Sequence, residues 1–372
     1  MTTRLHQLWE HGQSVWMDNL SRTIISNGEL ARWIDQGVRG ITSNPAIFKN
    51  AIAGNTDYDA GIQTALQSGA SINDIYESLV LQDISDAAAL FLPVYEASQG
   101  LDGYISIEVS PKLAHSTAST ILEAQRFFQI LAQPNIMIKI PGTAEGLPAV
   151  TEAIAAGINV NVTLLFSIQN YIETAWAYIA GLEKLDAAGG DISRVASVAS
   201  FFLSRIDTSI DKLLDAKMAQ GIDCASLKGT IAIANAKLAY QEYLKIFSSE
   251  RFQKLAAKGA RPQRLLWAST STKNPAYRDT LYVEELIGAN TVNTIPPETL
   301  VAFLDHGQVA DTLTQDLEAA QQAMQALTTL GIDLEQVLAD LQADGVEKFV
   351  QAFDQLLAAL EAKVQQMSTV GV

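Results

Sequence analysis

Ile136-Met137-Ile138-Lys139-Ile140-Pro141 is an apolar run broken by one cation. Side chains along a strand alternate between two faces, so the isoleucines share one face and Lys139 lies on the other. Two further runs have the same design. In Tyr104-Ile105-Ser106-Ile107-Glu108-Val109, Glu108 joins Tyr104 and Ser106 opposite Ile105, Ile107 and Val109. In Ile158-Asn159-Val160-Asn161-Val162-Thr163, the aliphatic residues take one face and Asn159, Asn161 and Thr163 the other. The aliphatic faces must pack on helices. The polar faces then look into a shared interior.

Working outward, the candidate strands are Ser14–Asp18, Gly40–Asn44, Gly103–Val109, Ile136–Pro141, Ile158–Thr163, Arg194–Phe201, Arg264–Ser269 and Asn290–Thr294. Between most of them lie stretches with apolar residues every three or four positions, such as Ala114–Ala132 and Ser204–Met218, which predict helices. Strand–helix alternation implies a parallel sheet. Repeated eight times, it favours a closed (β/α)8 TIM barrel over its competitor, a doubly wound open sheet. Such a barrel needs only about 250 residues, and this chain has 372. The excess is placed in extra helices: a leading helix in residues 1–13, two or three helices in 55–100 between strands two and three, and a helical extension from about 297 to 372. No Ser/Gly-rich linker, low-complexity tract or internal repeat interrupts the chain, so residues 1–372 are expected to form a single barrel domain. The acidic run of the extension reads as a solvated face.

The barrel's chemistry belongs at the C-terminal ends of its strands. Strands three, four and five are neighbours about 4.8 Å apart, which brings Glu108, Lys139 and Thr163 together there. Burial disfavours an ammonium and lowers its pKa, the condition under which a lysine attacks a carbonyl. The alternative is a buried Lys139–Glu108 ion pair, and such pairs seldom stabilise a fold. Strand one ends in Trp16-Met17-Asp18 and strand two in Thr42-Ser43-Asn44-Pro45. Asp18 and Asn44 therefore also reach the mouth, with a helix N-cap and a turn residue as their respective plainer roles.

The net charge is −16, from 41 acidic and 25 basic residues. This argues against nucleic acid or an anionic membrane as partner, but not against a small phosphorylated substrate held by a few local cations. No apolar run of 18 residues is present, so no membrane span is predicted. The N-terminus leads into a Trp/Glu-containing helix, not an apolar signal core, and a soluble cytoplasmic protein is expected. Monomer and homodimer both remain open. Cys224 is the single cysteine. It lies in a polar stretch with no histidine nearby and reads as an unreactive thiol. His6, His11, His115 and His306 lack metal-ligand spacing. No Gly-rich phosphate loop occurs. Neither a metal nor an organic cofactor is expected.

Five segments in order, Trp16-Met17-Asp18, Thr42-Ser43-Asn44-Pro45-Ala46-Ile47-Phe48, Ser106-Ile107-Glu108-Val109-Ser110-Pro111, Ile138-Lys139-Ile140-Pro141-Gly142-Thr143 and Asn161-Val162-Thr163-Leu164-Leu165-Phe166-Ser167, resemble the successive signatures of the transaldolase family. The resemblance runs along residues 15 to 294. The tail, with Asp344-Gly345-Val346-Glu347-Lys348-Phe349, is similar to that of a longer microbial subgroup. The family likeness implies a cofactor-free imine mechanism in the pentose phosphate pathway. Lys139 would form the imine with C2 of a ketose phosphate, and Asp18 would take the C4 hydroxyl proton. Glu108 would move protons through a water oriented by Thr163. Asn44 and Asn161 would hold the hydroxyls of the retained dihydroxyacetone unit, with Thr42 on the same wall. Ser200-Phe201-Phe202-Leu203-Ser204-Arg205 resembles the family's phosphate segment, so Ser200 and Arg205 would contact phosphate, and the Glu108/Phe202 pattern would favour transfer. Arg205 as a solvated helix charge is the alternative. Some members place an arginine near Ala268–Pro275, where this chain has Lys273. A closely related enzyme would release free dihydroxyacetone. A catalytically idle sugar-phosphate-binding barrel is the reading from a different class.

Overall fold

The computed structural model describes residues 2–370; residues 1, 371 and 372, which the expected terminal helices also took in, lie outside the described residues. The strands are β1 (Gln13–Met17), β2 (Gly40–Thr42), β3 (Ile105–Glu108), β4 (Ile136–Pro141), β5 (Val160–Leu165), β6 (Ser197–Phe202), β7 (Arg264–Ala268) and β8 (Thr291–Ile295). They close in sequence order into one parallel barrel, β8 pairing back onto β1. This is a (β/α)8 TIM barrel, and the open-sheet alternative is excluded. Extra helices stand in the expected stretches, Arg4–Glu10 before β1, Asp59–Gln67 and Ile72–Ala97 between β2 and β3, and Pro297–His306, Leu317–Thr329 and Leu334–Val370 after β8, and a further one, Pro45–Ile52, begins directly after β2, ahead of the expected range. No helix among the described residues is long and apolar enough to cross a membrane.

Several strand ends differ from expectation by a few residues, each for a local reason. β2 stops at Thr42 because Asn44 leaves the sheet to cap the helix Pro45–Ile52, its Oδ1 accepting from Ile47 N at 3.0 Å. β6 begins at Ser197 because a 3-10 turn at Ile192–Arg194 takes up the residues before it. β5 runs on to Leu165 through a register shift between Val162 and Leu165. Leu164 there adopts φ 60°, a left-handed backbone that only glycine enters freely. Its carbonyl accepts a hydrogen bond from Gln342 Nε2 at 3.0 Å, so a residue of the last helix restrains the bulge.

The N-terminal end of the barrel is sealed by polar packing. Asp102 accepts from Ser14 Oγ at 2.7 Å, Trp16 Nε1 at 3.1 Å and Arg264 Nη2 at 3.0 Å. Arg264 also donates to Ser14 Oγ and to the Leu101 carbonyl. A buried ion pair with its hydrogen bonds satisfied in this way is tolerated where an unpaired charge is not. Trp16 fills the adjacent layer so closely that a Cβ on Gly40 would lie 2.7 Å from its ring, which leaves glycine as the residue that fits.

The last helix packs on the barrel and keeps its acidic run in solvent, as expected. Its acidic residues, among them Glu335, Asp340 and Glu347, do face outward. Its other face, Leu338, Leu341, Val346, Phe349, Phe353, Leu356 and Leu360, is buried at helical spacing. That face lies across the C-terminal mouth. Lys49 Nζ donates to Gln355 Oε1 at 2.8 Å, Lys112 pairs with Asp354 at 2.7 Å, and Lys363 pairs with Asp59 at 2.7 Å. Each fully buried leucine or phenylalanine stabilises the docking by about 1.5–3 kcal/mol, well above what the exposed pairs contribute.

Candidate active site

Lys139 stands in the middle of β4, its Cα in register with Glu108 on β3 and Asn161 on β5. All three side chains point inward, as the alternation predicted. Lys139 Nζ is buried and donates to the Ser43 carbonyl at 3.2 Å. Its nearest carboxylate oxygen, Glu108 Oε2, is 3.8 Å away, beyond hydrogen-bonding length. The Glu108 oxygens have no hydrogen-bond partner although both are buried. A structural ion pair would close that gap, and this one leaves the amine free to meet a ligand.

Asp18 follows β1 and accepts from Thr42 Oγ1 at 2.7 Å. Thr42 Oγ1 also meets Thr294 Oγ1 at 2.6 Å. Asp18 is not a helix cap; Ser21 caps the next helix. Asn44 is a helix N-cap where a turn residue was the plainer expectation, and it also borders the chamber described below. Its Oδ1 accepts from Ile47 N at 3.0 Å. Thr163 is buried with its hydroxyl unpartnered. Below this level, Asn161 Nδ2 donates to Ser106 Oγ at 3.1 Å and Asn161 Oδ1 accepts from Ser200 Oγ at 2.7 Å. This belt fixes Asn161 under the amine.

A cavity of about 170 Å³ fills the mouth. Its wall contains Asp18, Thr42, Asn44, Lys139, Thr163, Ser200, Phe202, Arg205 and Lys273, nine of the positions singled out in the sequence. Asn161 and Glu108 are outside that wall, Asn161 beneath it and Glu108 behind Lys139. Arg205 is not a solvated helix charge. Its guanidinium is largely buried, sits 5.4 Å from the Phe202 ring centre, and has an unpartnered Nη1. Burial lowers its pKa and the Asp344 charge opposes this. Lys273 Nζ donates to Ser271 Oγ at 2.7 Å on the loop after β7. The basic side chains of Lys139, Arg205 and Lys273 thus share one small chamber in a chain of net charge −16.

Sequence reading missed Phe349, Thr294, Ser269, Ser271 and Glu298, all on the chamber wall. Phe349 roofs it, its ring centre 5.8 Å from Lys139 Nζ. The only sequence signal for it was the likeness of the segment ending at Phe349 to a family tail. Nothing in its spacing told which way it faced.

Electrostatically, the cost of burial shows on the carboxyls. Desolvation pushes Glu108 up to about 7, with Lys139 pulling it down and Asp18 adding to the rise. Asp18 is also raised, again by desolvation first, with Lys139 and the Thr42 hydrogen bond opposing and Glu298 adding. A carboxyl near 7 can both give and take a proton at neutral pH.

Fold and site together define a (β/α)8-barrel enzyme that sets a buried amine, two carboxyls raised by burial and two further basic side chains, Arg205 and Lys273, around one mouth. The chain belongs to the Transaldolase/Fructose-6-phosphate aldolase family, whose profile matches residues 15–360. It is 54% identical over 379 residues to a transaldolase of Trichodesmium erythraeum, covering 100% of both chains. It is 55% identical over 379 residues to transaldolase 2 of Nostoc punctiforme, covering 99% of this chain and 100% of that one. It is 46% identical over 370 residues to a transaldolase of Saccharopolyspora erythraea, with 98% and 100% covered.

Proposed function

We propose that this chain is a transaldolase that carries a dihydroxyacetone unit from a ketose phosphate, fructose 6-phosphate or sedoheptulose 7-phosphate, to an aldose phosphate, glyceraldehyde 3-phosphate or erythrose 4-phosphate, through an imine on Lys139. The observation that carries the reading is the amine itself: buried, lacking a carboxylate at hydrogen-bonding distance, and open to the chamber. The full-length likeness to transaldolases supports the reaction class. The barrel and its C-terminal helices are read as one functional unit.

In this mechanism the neutral Lys139 amine adds to C2 of the open-chain ketose. Protonated Glu108 delivers its proton to the resulting hydroxyl, which leaves as water while the nitrogen lone pair forms the C2=N bond. Ionised Asp18 then takes the C4 hydroxyl proton. The C4–O electrons form the aldehyde, the C3–C4 bond breaks, and its electrons move into the protonated imine to give an enamine. The aldose departs, an acceptor aldose enters, and the steps reverse. Two carboxyls are required because the protons move at two separate places. Thr163 orients the water at Glu108; Asn44 and Asn161 hold the retained unit, Asn161 through the Ser106–Ser200 belt; Thr42 orients Asp18. Ser200, Arg205 and Lys273 receive the phosphate, where the guanidinium's fixed donors suit phosphate oxygens. Phe202 and Phe349 cover the enamine against water, which favours transfer over release of free dihydroxyacetone.

Borohydride reduction in the presence of fructose 6-phosphate tests the reading. A three-carbon adduct on Lys139, absent from Lys139→Ala, is expected. A protein that binds the sugar phosphate but gains no adduct is a mere binder, and free dihydroxyacetone without transfer marks the aldolase.

A further inference from the structure

Lys273 is exposed, on the loop that leaves β7. An unrestrained lysine on an unrestrained loop loses much freedom when it binds an anion. This loop is held on both sides of Lys273, and both holds are on the helix Ser204–Met218, whose first turn carries Arg205. On the near side Ser269 adopts φ 59°. Ser204 fixes it twice: Ser204 N donates to the Ser269 carbonyl at 3.2 Å, and the two Oγ atoms meet at 2.8 Å. On the far side Tyr277 Oη donates to Asp211 Oδ2. Asp211 is buried and also accepts from Gly229 N at 3.1 Å. The Tyr277 ring lies so close to Gly229 that a Cβ there would be 2.7 Å from it. Burial first, then the bond to Asp211, raises the pKa of the Tyr277 hydroxyl, which stays a donor at neutral pH. Between the anchors the chain folds on itself. Asn274, next to Lys273, accepts from Ala276 N at 3.0 Å through its side chain and from Tyr277 N at 3.1 Å through its carbonyl. Asp207, one turn before Asp211 on the same helix face, makes a matching pair of bonds, with Ala232 N and with Tyr282 Oη, each at 2.8 Å. Tyr282 belongs to the short helix Leu281–Glu284, beyond the loop.

We propose that Tyr277, acting through Asp211, is a positioning residue for the substrate phosphate: it fixes the loop that presents Lys273, so that Lys273 and Arg205 take their places from one helix. The inference rests on the phosphate role proposed above for Lys273. Tyr277 is not on the chamber wall, so its effect passes through the backbone of Asn274 to Lys273 rather than through contact with the sugar. Arg205 and Asp211 lie only about 9 Å apart along the helix axis, and a helix is stiff over that length. A cation placed in advance in this way receives the phosphate without first ordering its loop, and the saving appears as affinity.

The test is a double-mutant cycle between Tyr277 and Lys273. Tyr277→Phe keeps the ring on Gly229 and removes only the bond to Asp211. It should raise the KM for fructose 6-phosphate and the inhibition constant of inorganic phosphate by about three- to tenfold, the worth of one hydrogen bond. Its kcat and its borohydride trapping at saturation should stay as in the wild type, because the loss is one of binding. Lys273→Ala should raise both constants, and Tyr277→Phe made in that background should raise them no further, since no cation is left to place. Tyr282→Phe, which removes the matching bond to Asp207, should lower Tm and leave both constants alone. A wild-type KM in Tyr277→Phe, with Lys273→Ala still raising it, refutes the positioning role. So do effects that multiply in the double variant, and so does an equal rise in Tyr282→Phe, which would mark a general loosening. If Lys273→Ala itself moves neither constant, the phosphate role of Lys273 falls and the positioning role falls with it.

Discussion

Replacing Glu108 with glutamine should stabilise the protein in alkali, leave it nearly unchanged in acid, and remove most activity at every pH. Burial raises the Glu108 carboxyl from 4.5 to about 7. The folded state therefore binds more protons than the unfolded state between these values. The protonated group's contribution to stability is fully present below about pH 4.5 and is lost as pH rises through 7. Above that, the ionised group costs about 3 kcal/mol, the free-energy equivalent of the rise. Glutamine is close in shape to the protonated acid and cannot ionise, so it escapes this cost. For a chain of 372 residues, about 3 kcal/mol corresponds to roughly 4 °C in Tm. Melting curves of both proteins at pH 4 and pH 8 measure it. The difference in Tm should grow by about that amount across the interval, while transfer falls by roughly two to four orders of magnitude, the usual span for a lost acid–base group. A Tm difference that stays the same at both pH values would mean that Glu108 does not titrate out of range, and the acid–base argument built on its burial would fall.

Three other outcomes are expected. Asp18→Asn should still give the borohydride adduct while cleavage of the C3–C4 bond slows by about 10²-fold or more. Because Asp18 is raised by burial, the wild-type cleavage rate should fall with pH at values above the ordinary carboxylate range, and this acid limb should vanish in the variant's single-turnover profile. Arg205→Ala should raise the KM for fructose 6-phosphate by about 10- to 100-fold, the worth of a lost charge-assisted contact, and inorganic phosphate should inhibit it less; an unchanged KM would place the phosphate elsewhere. Phe349→Ala should raise the proportion of free dihydroxyacetone to transferred product severalfold, read by coupled assays of both, and Phe349→Leu should restore most of the transfer; an unaltered ratio would show that the roof plays no part in excluding water.

How far the sequence reached can be judged from particular residues. Alternation alone put Lys139, Glu108 and Asn161 on an inward face, and β3, β4 and β5 align them in adjacent registers. Eight strand–helix repeats were enough for the closed barrel, because a parallel sheet of buried strands needs helices on its outer face. Asp18, Thr42 and Asn44 were legible as strand-end residues, since Pro45 marks where β2 must stop. These are local rules, written in two-residue and three-to-four-residue periods, and one chain carries them in full.

The remainder depends on which distant segments meet. That Lys139 lies 3.8 Å from Glu108, too far for a bond and near enough to bias it, depends on the barrel's closure and tilt. That Phe349 roofs the chamber depends on the last helix turning back across the mouth, tied by Gln342 to Leu164 and by Lys49 to Gln355 across hundreds of residues of chain. An amphipathic helix announces that it has an apolar face but not what that face will cover. The sequence by itself therefore determined the barrel and the order of groups around its rim. The tertiary structure decided the spacing of those groups, their desolvation and the lid above them, because Coulomb and solvation energies depend on distance and burial, which the order of residues does not contain.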